Sequence, residues 1–319
     1  MTTSTTRPST EAEPHGPQTH RMRAGDLTAA FRPAHGMIGT SLTHRGEEIL
    51  RFPESLDSAA RSGTSVGIPI NYPWANRLRG DSYTALGRRV ELDSRSPWLL
   101  TDWNDVILHG VPWPRLEWEP VEAGETFVAS RLRWDRPELL HVFPFRHEVQ
   151  MRASLDEQGL TVETTVHANA GEDVPVSFGF HPYIGLPGVP RAQWRTKLPR
   201  MQAMVLDELL IPVGEREEFP AYDHRLADLD FDHGFAFVDD RPSMSIAGGG
   251  RRIALEFLHG FRFAQIYGPP AHDYISFEPM TAPANALVTG EDLPIARAGD
   301  SFRAAFRIVV GDEEERRVH

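Results

Sequence analysis

Turn-forming residues punctuate this chain so often that long helices have little room. The 319 residues include 26 Gly and 26 Pro, and uninterrupted stretches with the 3.6-residue apolar period of a helix are rare. Between the turns lie short segments that alternate apolar and polar residues, which is the pattern of half-buried strands. Many short strands with frequent turns predict an all-β sandwich or barrel rather than a parallel α/β fold.

The predicted strands spread over most of the chain. Neither a fixed-period repeat nor a linker is visible between residues 24 and 310, so we predict one large β domain over 24–310. The Thr/Ser/Pro-rich segment 1–23 is predicted to be a disordered tail, and 311–319 to be a charged tail. The clearest strand segments are 160–168, 174–180, 231–238, 252–258, 264–267, 274–277 and 301–310.

Charge and cysteine usage exclude several classes of function. Asp plus Glu number 45 against 33 Lys plus Arg, giving a formal net charge of -12, which disfavours binding to nucleic acid or to an anionic membrane surface. The chain has no cysteine, so disulfides, thiolate nucleophiles and Cys-based metal sites are excluded. No apolar run approaches the roughly 20 residues of a membrane-spanning helix, and the N-terminus does not resemble a secretory signal. We expect a cytoplasmic monomer or homodimer.

Strand parity predicts a binding face. Successive side chains of a strand point to opposite faces, so residues two apart share a face. Three predicted strands then combine one bulky apolar face with one face of small residues and a single ionisable group, which is typical of a ligand groove. Pro279 is expected to end its strand. A wet face that binds nothing also alternates, so parity alone leaves both interpretations open. The small-residue faces carry Ser177, Gly179 and His181, then Asp232, Gly234 and Ala236, then Ser276 and Glu278.

Four segments carry residues suited to chemistry. Taken alone, each is weak evidence: a single His at a strand end is more often structural, a single Arg is more often a surface charge, and a Trp is more often packed in the core. Glu278 has the better case, because burying a carboxyl is costly. The segments are IPINYPWANRLRG with Asn76 and Arg77, VILHGVPW with His109 and Trp113, FGFHPY with His181, and SFEPMTAPAN with Glu278.

Taken together and in this order, the motifs resemble those of the aldose 1-epimerase (galactose mutarotase) family. The resemblance covers residues 24–310, and the Pro residues around Glu278 favour the broad bacterial branch. PWANRLRGDSYTALGRRVEL is similar to the family's Asn-Arg motif and the hairpin after it, VILHG to its Leu-His-Gly motif, FGFHPYIGLPG to its second His motif, DFDHGF to its Asp motif, and ISFEPMTAPANAL to its terminal Glu motif.

The resemblance implies a galactose-mutarotase-like β-supersandwich with an open groove on one concave sheet. It also implies interconversion of the α and β anomers of free or phosphorylated aldoses, without cofactor or metal. By position, Glu278 matches the general base, His181 the general acid, and His109 a second histidine near the reacting centre. Arg77 and Asp232 match residues that hold sugar hydroxyls. Asn76 and Trp113 complete the predicted substrate-binding set.

The residue types suit this chemistry. Ring opening removes the proton from the anomeric oxygen and delivers one to the ring oxygen, which a carboxylate and an imidazolium can do together. Their proximity is expected to raise the pKa of His181 and to lower that of Glu278. Arg77 and Asp232 are a strong donor and a strong acceptor for the distal hydroxyls. The Trp-rich loops in 97–118 are expected to affect the shape of the groove.

Rival functions make different demands. A hexose-6-phosphate 1-epimerase, the main alternative, needs basic residues at the groove rim, and Arg79, Arg115 and Arg146 are available. A non-catalytic carbohydrate-binding protein, the third candidate, would lack the acid/base pair. The histidine spacing does not favour zinc, the predicted fold does not suit a Ser-His-Asp hydrolase, and a glycoside hydrolase built on Asp232 and Glu278 would leave His181 without a role.

Overall fold

The computed structural model describes residues 19–227 and 229–313, and most of their regular structure is strand. The helices of these ranges are short: α1 Leu56–Ser62, α2 Pro137–Val142 and α3 Ala286–Thr289, with 3₁₀ turns at Trp113–Arg115 and Arg191–Gln193. None of these described helices is long or apolar enough to cross a membrane. The predicted all-β class is confirmed.

The strands follow one another along the chain with short connections. The first half comprises β1 His20–Ala24, β2 Leu27–Arg32, β3 Ile38–His44, β4 Glu47–Glu48, β5 Ile70–Asn71, β6 Arg77–Leu78, β7 Ser82–Ala85, β8 Arg88–Glu91, β9 Leu100–Thr101, β10 Ile107–Leu108, β11 Glu119–Ala123, β12 Phe127–Trp134, β13 His147–Asp156 and β14 Gly159–Ala168. The second half comprises β15 Val174–Pro175, β16 Gly179–Phe180, β17 Tyr183–Ile184, β18 Arg195–Leu198, β19 Met201–Leu206, β20 Pro212–Phe219, β21 Tyr222–Arg225, β22 Phe231–Phe237, β23 Ser243–Gly248, β24 Arg251–His259, β25 Phe263–Gly268, β26 Ile275–Met280, β27 Ile295–Ala296 and β28 Ser301–Asp312.

Two large antiparallel sheets dominate the architecture. A nine-stranded sheet has the order β11-β12-β13-β14-β28-β24-β23-β18-β21. An eight-stranded sheet has the order β20-β19-β22-β25-β26-β16-β5, with β17 pairing to β26. In the first sheet β28 lies between β14 and β24, although these strands are far apart in sequence. Long-range pairing therefore joins the middle and the end of the chain in one sheet.

The core lies between these two sheets. Phe180 on β16 meets Phe306 on β28 with ring centroids 5.0 Å apart, and Phe237 on β22 meets Phe257 on β24 at 4.4 Å. Burying each such side chain contributes roughly 1.5–3 kcal/mol. The apolar face of the eight-stranded sheet is thereby committed to the core, which leaves its other face to build a site.

Two predictions about strands are wrong in detail. The predicted strand 174–180 is two strands, because β15 pairs with β27 while β16 joins the eight-stranded sheet between β26 and β5. Pro279 does not end β26. It pairs with Ala264, and Met280 continues the ladder to both Phe263 and Gly179, since a proline removes only its own N–H donor.

The first and last strands extend past the predicted range 24–310. Strand β1 begins at His20, inside the predicted tail 1–23, because residues 20–24 pair with β2. Strand β28 runs to Asp312, beyond the predicted end at 310, because its last residues pair with β24. Residues 1–18 and 314–319 of the predicted tails lie outside the described residues.

Candidate active site

The pair His181 and Glu278 is positioned by adjacent strands of the eight-stranded sheet. His181 directly follows β16, and Glu278 lies on β26, which pairs with β16. Alternation along β26 sends Ile275 and Phe277 into the core between the sheets. Ser276 and Glu278 therefore point to the opposite face, as parity predicted.

The two side chains are direct partners. His181 Nε2 lies 3.1 Å from Glu278 Oε1, and only 6% of His181 and 2% of Glu278 are exposed. The other ring nitrogen, Nδ1, lies 3.1 Å from the Ser276 hydroxyl. The Tyr183 ring stacks on the imidazole with centroids 4.4 Å apart. Contacts on both nitrogens and one ring face fix the imidazole in place.

Burial acts against charge on both members of the pair. It lowers the pKa of His181 to about 3. It raises the pKa of Glu278 well above the usual range, and the nearby Asp232 carboxyl raises it further, while Arg77 opposes this rise. The expectation that proximity would raise the His181 pKa and lower the Glu278 pKa is therefore wrong, because desolvation dominates. Both shifts favour the uncharged form of each side chain.

His109 is held as a neutral hydrogen-bond donor. Its Nδ1 accepts the backbone N–H of Asn76 at 3.0 Å, and its own backbone N–H donates to the Asn76 carbonyl at 3.0 Å. Burial lowers the pKa of His109 well below its usual value, and His181 and Arg77 lower it further. With Nδ1 occupied as an acceptor, the single ring proton of the neutral imidazole resides on Nε2.

Arg77 is fixed by carboxylates on two sides. Its Nε donates to Asp102 Oδ2 at 2.8 Å, and its Nη2 lies 3.8 Å from Asp232 Oδ2. Asp232 Oδ1 in turn accepts from Gln265 Nε2 at 2.6 Å. Gln265 is the cross-strand neighbour of Glu278. Polar contacts thus connect Gln265, Asp232 and Arg77, and Gln265 lies beside Glu278 on the neighbouring strand.

These groups line one cavity of about 340 Å³. It brings together six of the seven predicted site residues: Glu278, His181, His109, Arg77, Asp232 and Asn76. Ser62, Thr64, Ser65, Leu100, Thr101, Trp103, Leu108, Tyr183, Gln265 and Tyr267 complete the lining.

Trp113, the seventh predicted residue, is elsewhere. It is buried in a small core cluster with Ile38, Ala59 and Val66, and its indole N–H donates to the Thr64 carbonyl at 3.0 Å. Packing of the 3₁₀ turn against α1 withdraws it from the cavity. Another tryptophan of the same loops, Trp103, lines the cavity in its place.

The face of small residues is only partly a groove. Near Gly179 and Ala236 the space is filled by a second apolar cluster that includes Ala75, Met204 and Met280. A Cβ on Gly179 would lie 2.6 Å from the Pro279 carbonyl oxygen, so glycine there permits close backbone packing. Small residues on this face make room for protein as well as for ligand, and the cavity occupies the end near Asp232, Gln265 and Glu278.

Several site residues were missed from the sequence. Asp102 lies in a turn, where its Oδ1 accepts the N–H groups of Asn104 and Val106, so its sequence context resembles an ordinary Asx turn. The only sequence signal for Gln265 is its place in the alternation of its strand. Tyr183, which lies two residues after His181, was also missed. Ser276, two residues before Glu278, was placed on the correct face by strand parity.

Residues 63–67, GTSVG, match the G-x-S-x-G pattern of hydrolase nucleophile elbows. That elbow needs a strand before the serine and a helix after it. Here α1 precedes Ser65, and its C-terminal cap is Gly63, which has a φ of 82°. Gly67, with a φ of 64°, lies so close to Gly39 that a Cβ would lie 2.2 Å from the Gly39 carbonyl oxygen. Helix capping and close packing explain both glycines.

No group of three or more His, Asp and Glu side chains is arranged to hold a metal ion within residues 19–227 and 229–313.

Comparison with known proteins identifies the family. The family model for aldose 1-epimerase matches residues 18–308, and the chain belongs to this family, as its motifs predicted. The uncharacterised protein YihR of Escherichia coli K12 is 23% identical over 244 residues, which cover 74% of this chain and 76% of YihR.

Solved structures share the fold at low sequence identity. A galactose mutarotase-like protein from Clostridium acetobutylicum has a TM-score of 0.78 and 17% identity over 92% of this chain and 95% of its own. A galactose mutarotase related enzyme from Lactobacillus acidophilus has a TM-score of 0.75 and 17% identity over 92% and 97%. The predicted galactose-mutarotase-like fold in a single large domain is confirmed.

Proposed function

We propose that this protein is a cofactor-independent aldose 1-epimerase that interconverts the α and β anomers of a free hexose. The observation that carries the proposal is the 3.1 Å contact between His181 Nε2 and Glu278 Oε1 beside a cavity that is also lined by Arg77, Asp232 and Gln265. Two groups able to exchange protons at one point are what ring opening and closure require. A carbohydrate-binding protein without activity would have no use for this buried and costly pair.

The His181–Glu278 pair accepts and supplies the protons that the reaction moves. Glu278 removes the proton from the anomeric O1, His181 delivers a proton to the ring oxygen, the C1–O5 bond breaks, and the C1–O1 bond becomes a carbonyl. The aldehyde rotates about C1–C2, and the same transfers run backwards on its other face. For this step Glu278 must be ionised and His181 protonated. Burial favours the proton on Glu278, but a sugar hydroxyl that donates to the carboxylate stabilises its charged form, so the proton passes from Glu278 to His181 Nε2 before the ring opens.

The remaining residues hold the sugar while C1 turns. His109 Nε2–H is a fixed donor directed by its bond to Asn76. Arg77 offers further donors, and Asp232 is an acceptor for distal hydroxyls. Asn76 contributes mainly by position, because its Oδ1 already accepts the Arg77 backbone N–H at 2.7 Å.

The arginines considered for a phosphate group lie away from the described cavity lining. Arg79 is paired with Asp207, the Arg115 guanidinium stacks over Trp98 at 5.4 Å, and Arg146 donates to the Asp135 carbonyl at 3.2 Å. Arg77 does line the cavity, but Asp102 and Asp232 already balance its charge. These placements favour an unphosphorylated sugar over a hexose 6-phosphate.

Exchange between anomers tests the proposal directly. Saturation-transfer NMR or polarimetry on freshly dissolved α-D-galactose and α-D-glucose should show accelerated anomer exchange with the wild-type protein. Glu278→Gln and His181→Asn should each lower kcat by about 10²–10⁴-fold, which is the usual contribution of one acid or base. Glucose 6-phosphate should exchange more slowly than glucose.

Matched controls replace exposed residues of the same types. His259→Asn and Glu217→Gln alter exposed side chains on β24 and β20 and should leave kcat unchanged. Retained activity in either site variant, or no acceleration by the wild-type protein for any aldose, would overturn the proposal.

A further inference from the structure

Residues 102–106 and 207–211 form two turns of the same construction. In each turn the first residue is an aspartate, and its Oδ1 accepts the backbone N–H groups two and four residues later at 2.9–3.1 Å. The fourth residue of each turn has a φ of 58°. The other carboxylate oxygen, Oδ2, pairs in each turn with an arginine of the segment 77–79. The pairs are Asp102 with Arg77 and Asp207 with Arg79.

The two ion pairs differ in their surroundings. The Asp102 side chain is 1% exposed and that of Arg77 is 5% exposed. The Asp207 and Arg79 side chains are 13% and 45% exposed. Arg77 lines the active-site cavity, and Arg79 is not among the described residues that line it. Because burying two charges costs desolvation, the pair at the cavity is weak evidence for stability and a candidate for function.

The turn of Asp102 and the strand of Arg77 belong to one small sheet. Strand β10 pairs with β6 through Leu108 and Arg77, and with β9 through Leu108 and Leu100. The turn 102–106 joins β9 to β10, so its aspartate lies close to the strand that carries the arginine. Asp102 is not among the described residues that line the cavity, so its effect on a ligand passes through Arg77.

Asp102 fixes which atoms of Arg77 meet the cavity. Its Oδ2 accepts from Arg77 Nε at 2.8 Å. Because the guanidinium is planar, a bond at Nε sets the direction of the two terminal nitrogens. Nη2 lies 3.8 Å from Asp232 Oδ2, which is beyond hydrogen-bond distance. The ring of Trp103, on the same turn, lies 5.2 Å from the guanidinium and covers it. Arg77 and Asp232 thus stay separate, one as a donor and one as an acceptor.

We propose that Asp102 is a positioning residue for the substrate, because it keeps Arg77 directed at the distal hydroxyls of the sugar and apart from Asp232. The inference rests on the proposed function for the nature of the ligand. Without the Asp102 charge, the guanidinium is drawn to Asp232, its remaining carboxylate partner. The two groups then satisfy each other instead of the sugar. The acid/base pair keeps its own contacts, so the loss falls on binding.

Asp102→Asn separates the two contacts of this side chain. Its amide oxygen still accepts the turn N–H groups, whereas its NH₂ cannot accept from Arg77 Nε. For the faster substrate of glucose and galactose, KM should rise about 10- to 100-fold, which is the contribution of a hydrogen bond between charged groups, and kcat should stay within about twofold. Both constants come from anomer exchange measured by NMR. Asp102→Ser also keeps an acceptor for the turn, should have the same effect, and serves if Asp102→Asn does not fold.

Asp207→Asn is the matched control. It removes the same kind of contact from the equivalent turn and should leave KM and kcat unchanged. Arg77→Gln tests the route of the effect: alone it should raise KM about as much as Asp102→Asn, and the double variant should raise KM no further. Independent effects of Asp102→Asn and Arg77→Gln, a fall in kcat with unchanged KM in Asp102→Asn, or an equal effect of Asp207→Asn would overturn the positioning role.

Sugar binding separates this inference from the proposed function. The dissociation constant of the same sugar is measured by saturation-transfer difference NMR for the wild type and the variants. If no aldose is epimerised but Asp102→Asn weakens binding and Asp207→Asn does not, the proposed function fails and the positioning role stands. If anomer exchange is accelerated but Asp102→Asn changes neither KM nor the dissociation constant, the positioning role is refuted. A wild-type protein that neither binds nor epimerises any aldose refutes both.

Discussion

Two buried histidines of this protein have similar surroundings, although only one of them, His181, is proposed to be catalytic. His147 is 3% exposed and His181 is 6% exposed. Each has a partner on both ring nitrogens, and each stacks on an aromatic ring: His147 on Trp134 with centroids 5.6 Å apart, His181 on Tyr183 at 4.4 Å. Burial lowers the pKa of both, to about 4 and about 3.

Their partners make the difference. The Nε2 atom of His147 meets the hydroxyl of Tyr72, whose pKa is raised well above its usual value by burial, and Nδ1 lies 2.6 Å from the Phe145 carbonyl oxygen. Neither partner exchanges protons near neutral pH. His181 meets the Glu278 carboxyl and a cavity. The comparison teaches that burial and a depressed pKa do not distinguish the proposed catalytic histidine from a structural one, whereas a titratable partner beside a cavity does.

The first test of this comparison replaces His147, the histidine without a titratable partner. His147→Leu fills a similar volume but leaves the buried Tyr72 hydroxyl and the Phe145 carbonyl without their partner, so the free energy of unfolding should fall by about 3 kcal/mol. Urea denaturation measures this loss. The kcat of the folded fraction should stay near the wild-type value, and a large loss of kcat with unchanged stability would contradict the structural role of His147.

The second test measures how the free energy of unfolding depends on pH. The folded-state pKa of each histidine is below its unfolded value, so each histidine by itself makes stability fall as pH falls below about 6.5, whereas the raised pKa of Glu278 acts in the opposite direction in the wild type and in the histidine variants alike. Between pH 6.5 and 5 each should cost about 2 kcal/mol. In His181→Asn, the loss of unfolding free energy between pH 7 and pH 5 should be about 2 kcal/mol smaller than in the wild type.

His259→Asn is the control for this measurement, because His259 is exposed on β24. A wild-type pH dependence in His181→Asn would mean that His181 is already charged near neutral pH and forms an ion pair with Glu278. The direction given above for the shift in the His181 pKa would then be wrong.

The third and smallest effect concerns Ser276. Its hydroxyl oxygen accepts from His181 Nδ1–H both when the proton between the pair lies on Glu278 and when it lies on His181 Nε2, because Nε2 faces the carboxyl in either arrangement. Ser276→Ala should lower kcat about fivefold, the equivalent of one hydrogen bond, and should shift the pH profile of kcat. Ser276→Thr keeps the hydroxyl and should restore the profile. An unchanged pH profile of kcat in Ser276→Ala would show that Ser276 does not influence the protonation of His181.

Local patterns gave much of the fold. Alternation and turn residues predicted the all-β class and most of the long strands, because period and punctuation are local properties. Parity also placed Ser276 and Glu278 on one face. The same signals failed at Pro279, where partners on both sides of β26 maintain the ladder, and at 174–180, where the chain passes from one sheet to another.

By itself, the sequence determined the β-rich class, the family through its ordered motifs, and six of the seven residues that it predicted at the cavity. Only the tertiary structure decided which groups touch. Asp102, Arg77 and Asp232 lie in separate segments, and their 2.8 and 3.8 Å contacts depend on how β6, β22 and the turn after β9 meet. The same holds for the presence of Trp103 rather than Trp113 at the cavity, and for the directions in which burial shifts the pKa values of His181 and Glu278. Packing and desolvation depend on neighbours distant in sequence, and no local pattern records them.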